Sequence, residues 1–291
     1  MRTGLLLPAA TQGRGQDLTA FALRAEELGY DSLWLSEVAG REILSTAGWL
    51  LASTTRLRFG SAIASVYARD ASTAAMATHT LAELSGGRFA LGLGVSIRWL
   101  VEQRGQVWEK PLQKATSYLD GYEAMEVLSP APERRAPVYF AAHGPKMVAA
   151  LKDRVDGLIT INVPPEHTAD IRAELRDDQD LLIVKTIVPE TDPDTARELA
   201  RETVGVYLTA AQYWPLWKKY GFDDSDLVPG GSDRLIDMLV AWGDAAEIQR
   251  QITEYFDAGA TDVILRVPAD SAHAVSWSII DDLAPGTRAG A

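Results

Sequence analysis

Two apolar patterns alternate along the chain. Leu18, Phe21, Ala22, Ala25 and Leu28 recur at steps of three and four, the spacing that puts side chains on one face of a helix, and Gly29 ends the stripe. Leu33-Trp34-Leu35 then reads as a short strand with no polar side, the mark of a strand covered on both faces. The unit returns late in the chain. Asp244 and Glu247 stand at capping-box spacing, Ile248, Ile252 and Phe256 form the stripe, Gly259 closes it, and Val263-Ile264-Leu265 enters a strand.

Strands are predicted over residues 3–7, 32–36, 57–64, 89–95, 138–142, 158–162, 181–188 and 262–267. Eight such runs separated by helical segments predict an α/β fold, a closed (β/α)8 TIM barrel, with an open doubly wound sheet as the competing arrangement. Residues 193–243, between the seventh and eighth strands, exceed what one helix needs, and barrels accept helical insertions in the loops of their active face. No Pro/Gly/Ser-rich linker divides the chain, so residues 1–291 are expected to form a single domain with a frayed tail from 285.

Composition narrows the function. No apolar run nears the roughly 20 residues that span a bilayer, and the start is too short for a secretory signal, so a cytoplasmic protein without a membrane partner is expected. There are no cysteines, and the four histidines show no metal-ligand spacing, so no metal site is expected. A net charge of −12 argues against binding nucleic acid, whose backbone attracts basic surfaces.

In a barrel, chemistry gathers where strands end at their C-terminal side. Those ends carry Pro8, Glu37, the stretch Ala62-Ile63-Ala64-Ser65, Gly94-Val95-Ser96, His143, Asn162, Val188 and Arg266. Glu37 is a candidate for proton transfer or for hydrogen bonding a heterocycle; alternatively it caps the next helix or pairs with Arg41. The small residues around Gly60 and in Gly92-Leu93-Gly94 let backbone approach something flat, or simply suit tight packing. A dinucleotide fingerprint would need a third glycine at position 97, which is Ile97. Ala141-Ala142-His143-Gly144-Pro145-Lys146 ends a strand and opens a helix, whose N-terminus suits a phosphate, though a plain turn explains it too. His143 adds a titratable group. Tyr207, Tyr213, Trp214, Trp217, Tyr220 and Phe222 form either a substrate lid or the core of a local helical pair, and Trp99 with Glu102 offers a second substrate wall. Trp99, Trp214 and Trp217 are the substrate candidates.

The passage Ser85-Gly86-Gly87-Arg88-Phe89-Ala90-Leu91-Gly92-Leu93-Gly94, with Ser36-Glu37-Val38 and the Gly144-Pro145-Lys146 loop, resembles the luciferase-like flavin and deazaflavin oxidoreductases, above all those using coenzyme F420. The resemblance implies a bacterial-luciferase type of TIM barrel, a non-prolyl cis peptide at Ala62-Ile63 behind the deazaflavin ring, a phosphate on the Gly144 loop, and a homodimer. Glu37, Ala62, Ile63, Gly92, Gly94, Val95, Ser96, Ala141, Ala142, Gly144, Pro145 and Lys146 are thereby expected to bind the cofactor, with Glu37 and His143 catalytic. Val38 stands where F420-dependent sugar-phosphate dehydrogenases carry a histidine that looks like the catalytic base, so that mechanism is not expected. Arg69-Asp70-Ala71 matches the family's next motif only in part, and Asp70 reads as a helix cap. The expected activity is hydride transfer between F420 and a small organic substrate, reducing C=C or C=N. An FMN-dependent monooxygenase and a catalytically silent binding barrel are the alternatives.

Overall fold

A computed structural model describes residues 1–7, 15–38, 40–267 and 277–285. Pro8, expected at the end of the first strand, and the tail beyond 285 lie outside the described residues. The strands are β1 (Arg2–Leu6), β2 (Ser32–Leu35), β3 (Arg58–Ser61), β4 (Ala64–Ser65), β5 (Phe89–Gly94), β6 (Val138–Ala141), β7 (Gly157–Ile161), β8 (Asp180–Val188), β9 (Val240–Trp242) and β10 (Asp262–Arg266). The helices are α1 (Gly15–Glu27), α2 (Ile43–Ser53), α3 (Ala71–Ser85), α4 (Arg98–Gln103), α5 (Pro111–Glu123), α6 (Pro145–Leu151), α7 (Pro165–Glu174), α8 (Pro193–Leu208), α9 (Trp214–Lys219), α10 (Asp233–Leu239), α11 (Ala245–Asp257) and α12 (Trp277–Asp282).

All strand pairs are parallel, in the order β1-β2-β3-β5-β6-β7-β8-β10, and β10 pairs with both β8 and β1. The sheet therefore closes into the eight-stranded barrel that the apolar runs predict. Among the described residues no helix is long and apolar enough to cross a membrane.

Each strand faces the helix layer with one set of side chains and the barrel interior with the other. Leu6, Trp34, Ala90, Tyr139, Ile159, Leu182, Val184 and Ile264 fill the interior. Trp34 is the largest of them, and the neighbouring strands make room for it: a Cβ on Gly60 would collide with its ring, and one on Gly4 would press on its indole nitrogen. At the N-terminal end, Arg2 bonds Asp262 at 2.8 Å and Asp180 at 2.5 Å, tying together the strands that close the barrel.

The strand expected over 57–64 is broken. Its pairing with β5 runs Phe59↔Phe89 and Gly60↔Ala90, then Ala64↔Leu93 and Ser65↔Gly94, so one extra residue sits between β3 and β4. The cis peptide Ala62-Ile63 lies in this bulge. Ser61 Oγ replaces the missing ladder bonds, donating to Gly92 O at 2.8 Å and accepting from Gly92 N at 2.9 Å.

Helix starts follow the sequence signals. Asp70 accepts from Thr73 N at 2.8 Å and Asp244 from Glu247 N at 2.9 Å, but the Glu247 side chain bonds Arg250 and Gln251, so the capping box is not reciprocal. Between β8 and β10 the chain forms α8, a 3-10 turn at Ala211–Tyr213, α9, α10 and β9. These pack around their own buried cluster, which includes Val204, Trp217, Leu235, Ile236 and Val240.

Candidate active site

A cavity of about 340 Å3 opens at the C-terminal mouth of the barrel. Glu37, Ala62, Ile63, Gly94, Val95, Ser96, Ala141, Ala142, His143 and Gly144 line it, so strand ends widely separated in sequence share one wall. Small side chains form much of this slot's wall, and Gly94 allows close approach in it: a Cβ there would sit 2.8 and 2.9 Å from the side chain of Ile63 and 3.3 Å from Ala141, so Ile63 packs directly on the glycine.

The remaining candidates stand elsewhere. Gly92 lies below the cavity, where a Cβ would strike the Ser61 carbonyl, so its role is close packing across the bulge. Pro145 and Lys146 are exposed at the start of α6, beside the cavity rather than in its wall. Trp217, expected at the substrate, is fully buried in the cluster between β8 and β10, and its indole donates to Asn162 O at 3.0 Å. Trp214 packs on the same cluster and bonds Leu208 O at 3.2 Å. Trp99 is 49% exposed and outside the cavity wall. Thus none of the three tryptophans reaches the cavity: they are the bulkiest apolar side chains, and two of them serve the local core. Tyr207, Gln212 and Tyr213, from the same segment, line the cavity instead.

Glu37 is not a lone carboxylate at the mouth. Arg69 grips it with two bonds, Nη1 to Oε2 at 3.1 Å and Nη2 to Oε1 at 2.5 Å, and the Ser65 amide donates to Oε2 at 2.8 Å. The two side chains are only 7% and 11% exposed, so this is a buried, charge-balanced pair. Arg69 also reaches Glu42, whose carboxylate caps α2 by accepting from Ser45 N at 2.7 Å. Capping of that helix therefore falls to Glu42, and Arg69 takes the partner role that the sequence suggested for Arg41.

His143 takes part in a backbone network. The Ile161 amide donates to its Nε2 at 3.0 Å, and its carbonyl accepts from His167 Nε2 at 2.9 Å. Burial, with His167 beside it, lowers its pKa to about 4, so the ring is neutral at ordinary pH. His167 is buried and its pKa is lowered by the same loss of solvent. Neither offers an imidazolium acid near neutrality.

Tyr213 stacks on Trp217 at 5.6 Å and 16°, and meets His143 and Tyr207 edge to face at 5.4 and 5.8 Å. Arg266 lies over the Tyr207 ring at 5.7 Å and donates to Thr203 O at 3.3 Å. The aromatic run in the sequence signalled these residues. It did not say which of them face the cavity.

A closed parallel eight-stranded barrel with its cavity at the C-terminal mouth has the architecture of a TIM-barrel enzyme. The family model for luciferase-like monooxygenases matches residues 1–262, and the chain belongs to that family. Among its relatives, the 5,10-methylenetetrahydromethanopterin reductase of Methanolobus tindarius is 24% identical over 290 residues, covering 85% of this chain and 89% of the relative. The coenzyme F420 dependent tetrahydromethanopterin reductase of Methanopyrus kandleri superposes with a TM-score of 0.71 at 17% identity, covering 98% and 97% of the two chains. The FMN-bound oxygenating constituent of 3,6-diketocamphane monooxygenase from Pseudomonas putida gives 0.64 at 16%, covering 98% of each.

Proposed function

We propose that this chain is a coenzyme F420-dependent oxidoreductase that transfers a hydride between the deazaflavin and a small organic substrate, reducing a C=C or C=N bond. The observation that carries this reading is the cavity at the barrel mouth, whose wall brings together Ala62, Ile63, Gly94, Ala141 and Ala142 from separate strand ends and is kept low by its glycine and alanines. The F420 enzymes among the relatives support it. Ala62, Ile63, Gly94, Val95 and Ser96 would hold the ring, with Ala141 and Ala142 opposite. Gly144, Pro145 and Lys146 would take the phosphate. When bound in its reduced form, the deazaflavin supplies a hydride.

Glu37 acts here as a positioning residue: through Ser65 and Arg69 it fixes the end of the bulge that forms one wall of the slot. Preorganisation of this kind is how a barrel orients a cofactor that carries its own chemistry. Fluorescence titration with F420 and FMN side by side tests the reading, and F420 is expected to bind far more tightly. Tighter FMN binding with oxygen-dependent turnover overturns it in favour of a monooxygenase, and binding of neither favours a silent barrel.

A homodimer is part of the same proposal. Trp49 on α2 and Leu84 on α3, helices that touch, are 61% and 75% exposed and would be apolar contributors to such an interface. Light scattering is expected to give twice the 31.6 kDa chain mass.

A further inference from the structure

The cavity wall shows where a substrate's developing charge is met. Its ionisable groups among the described residues are Glu37, His143, Tyr207 and Tyr213. Glu37 is neutralised by Arg69, so the wall presents no uncompensated negative charge to a cationic iminium. His143 has its Nε2 engaged by Ile161 N and is neutral. The two tyrosine hydroxyls remain, and among the described residues neither has a hydrogen-bond partner.

Neither hydroxyl is among the buried, unpartnered side-chain atoms, so both stay open to a water or a ligand in the cavity. Tyr213 is also held in place: its face lies on Trp217, its edge contacts set it against His143 and Tyr207, and Trp217 is anchored through Asn162 O to the residue that follows β7. Burial beside Tyr207 raises the Tyr213 pKa, so the hydroxyl stays protonated well above neutrality. Packing accounts for the ring, and the hydroxyl is left available to whatever occupies the cavity.

We infer that Tyr213, with Tyr207 beside it, donates a hydrogen bond to the carbonyl oxygen of the substrate, and that the substrate is a conjugated carbonyl compound, an enone or enal, rather than an imine. This rests on the F420 reading above. The β-carbon of the C=C bond gains the hydride as a new C–H bond, and the π electrons move through the α-carbon to the carbonyl oxygen, where the tyrosine hydroxyl stabilises the enolate. Water then protonates the α-carbon, and the hydroxide so formed would take up the proton released as the reduced deazaflavin becomes oxidised. The reduced deazaflavin gives up one hydride and one proton in total and is left oxidised, so the substrate gains two electrons and two protons.

The test begins with the apoprotein and p-nitrophenolate, a flat oxyanion whose absorbance shifts when it accepts hydrogen bonds. Wild-type protein is expected to bind it, and Tyr213→Phe, which keeps the ring packing, to bind it at least tenfold more weakly with an unchanged melting temperature. In a second arm, reduced F420 is mixed with 2-cyclohexen-1-one or with 3,4-dihydroisoquinoline in single turnover. The enone is expected to react faster, and Tyr213→Phe to slow it at least tenfold while F420 affinity holds. Equal phenolate binding by wild type and Tyr213→Phe, absence of phenolate binding by wild type, or faster reduction of the imine overturns the inference. Should F420 itself fail to bind, the proposed function falls, and the phenolate arm still decides the role of Tyr213.

Discussion

Glu37 and Arg69 form a two-pronged ion pair inside the rim of the barrel, 32 residues apart in sequence and both nearly sealed from solvent. A buried charge left without its partner typically costs 3–5 kcal/mol, whereas replacing both partners is often far milder. Arg69→Leu is therefore expected to lower stability by about 3 kcal/mol, and Glu37→Gln by less, because Arg69 keeps Glu42 at 2.9 Å. Denaturant melts of the two single variants and of Glu37→Leu/Arg69→Leu give the coupling energy. Strict additivity would show that the pair contributes nothing to holding the bulge.

Much of this was visible in the sequence. The eight barrel strands stand out because both their faces are covered, which makes them continuous apolar runs. The small residues of the slot were visible for a related reason: only glycine and alanine leave such room. Other features depend on tertiary contacts that no local pattern encodes. The extra residue of the bulge changes register without changing composition, so no local pattern marked it within 57–64, and only the family resemblance implied a bulge at Ala62-Ile63. The Arg2 clamp and the Arg69 partner of Glu37 join residues far apart in the chain. In the aromatic run the residue types were legible but not their facing, since Trp217 turned into the local core and Tyr213 toward the cavity.

The histidine pair predicts an acid sensitivity. His143 titrates near 4 in the folded protein and near 6.5 in the unfolded chain. Between those values the unfolded state binds the extra proton, so stability falls as pH drops from 6.5 to 4, with a slope of up to about 1.4 kcal/mol per pH unit for one proton. His167, also lowered, adds a contribution of the same sign. Melts of His143→Gln across that window are expected to show a shallower acid limb than wild type, and parallel limbs would count against a neutral His143.

Lys185 carries a cost of the same sign, relieved only as the pH becomes alkaline. It projects from β8 into the helix layer, where its amine donates to Met238 O at 2.7 Å and to Tyr255 Oη at 3.0 Å, and burial lowers its pKa from 10.5 to about 7. From 7 to 10.5 the unfolded state holds the proton that the folded state has released, so stability rises with pH through that range. Below 7 the cost is present in full. Lys185→Met is expected to raise the melting temperature, more at pH 6 than at pH 10, and an equal shift at both would show that the amine is not neutral in the fold. Tyr255 keeps its own bond to Val163 O at 2.8 Å in the variant.

Two glycines of the wall separate cofactor binding from folding. Gly94→Val would drive its side chain into Ile63 and Ala141, which already pack on the glycine, and displace this wall, so F420 affinity is expected to be lost together with some stability. Gly144 differs: its φ of −88° and ψ of 149° suit any residue, and an added Cβ meets nothing within 4 Å. Gly144→Val is therefore expected to change stability by no more than about 0.5 kcal/mol, because it crowds neither the turn nor α6. If the amides after Gly144 hold the F420 phosphate, the valine branches stand over that position and binding weakens at least tenfold, about 1.4 kcal/mol. Fluorescence titration and thermal melts on the same preparation decide it. Unchanged F420 affinity in Gly144→Val would reduce the loop to a connection between β6 and α6, and the phosphate would have to be sought at another strand end.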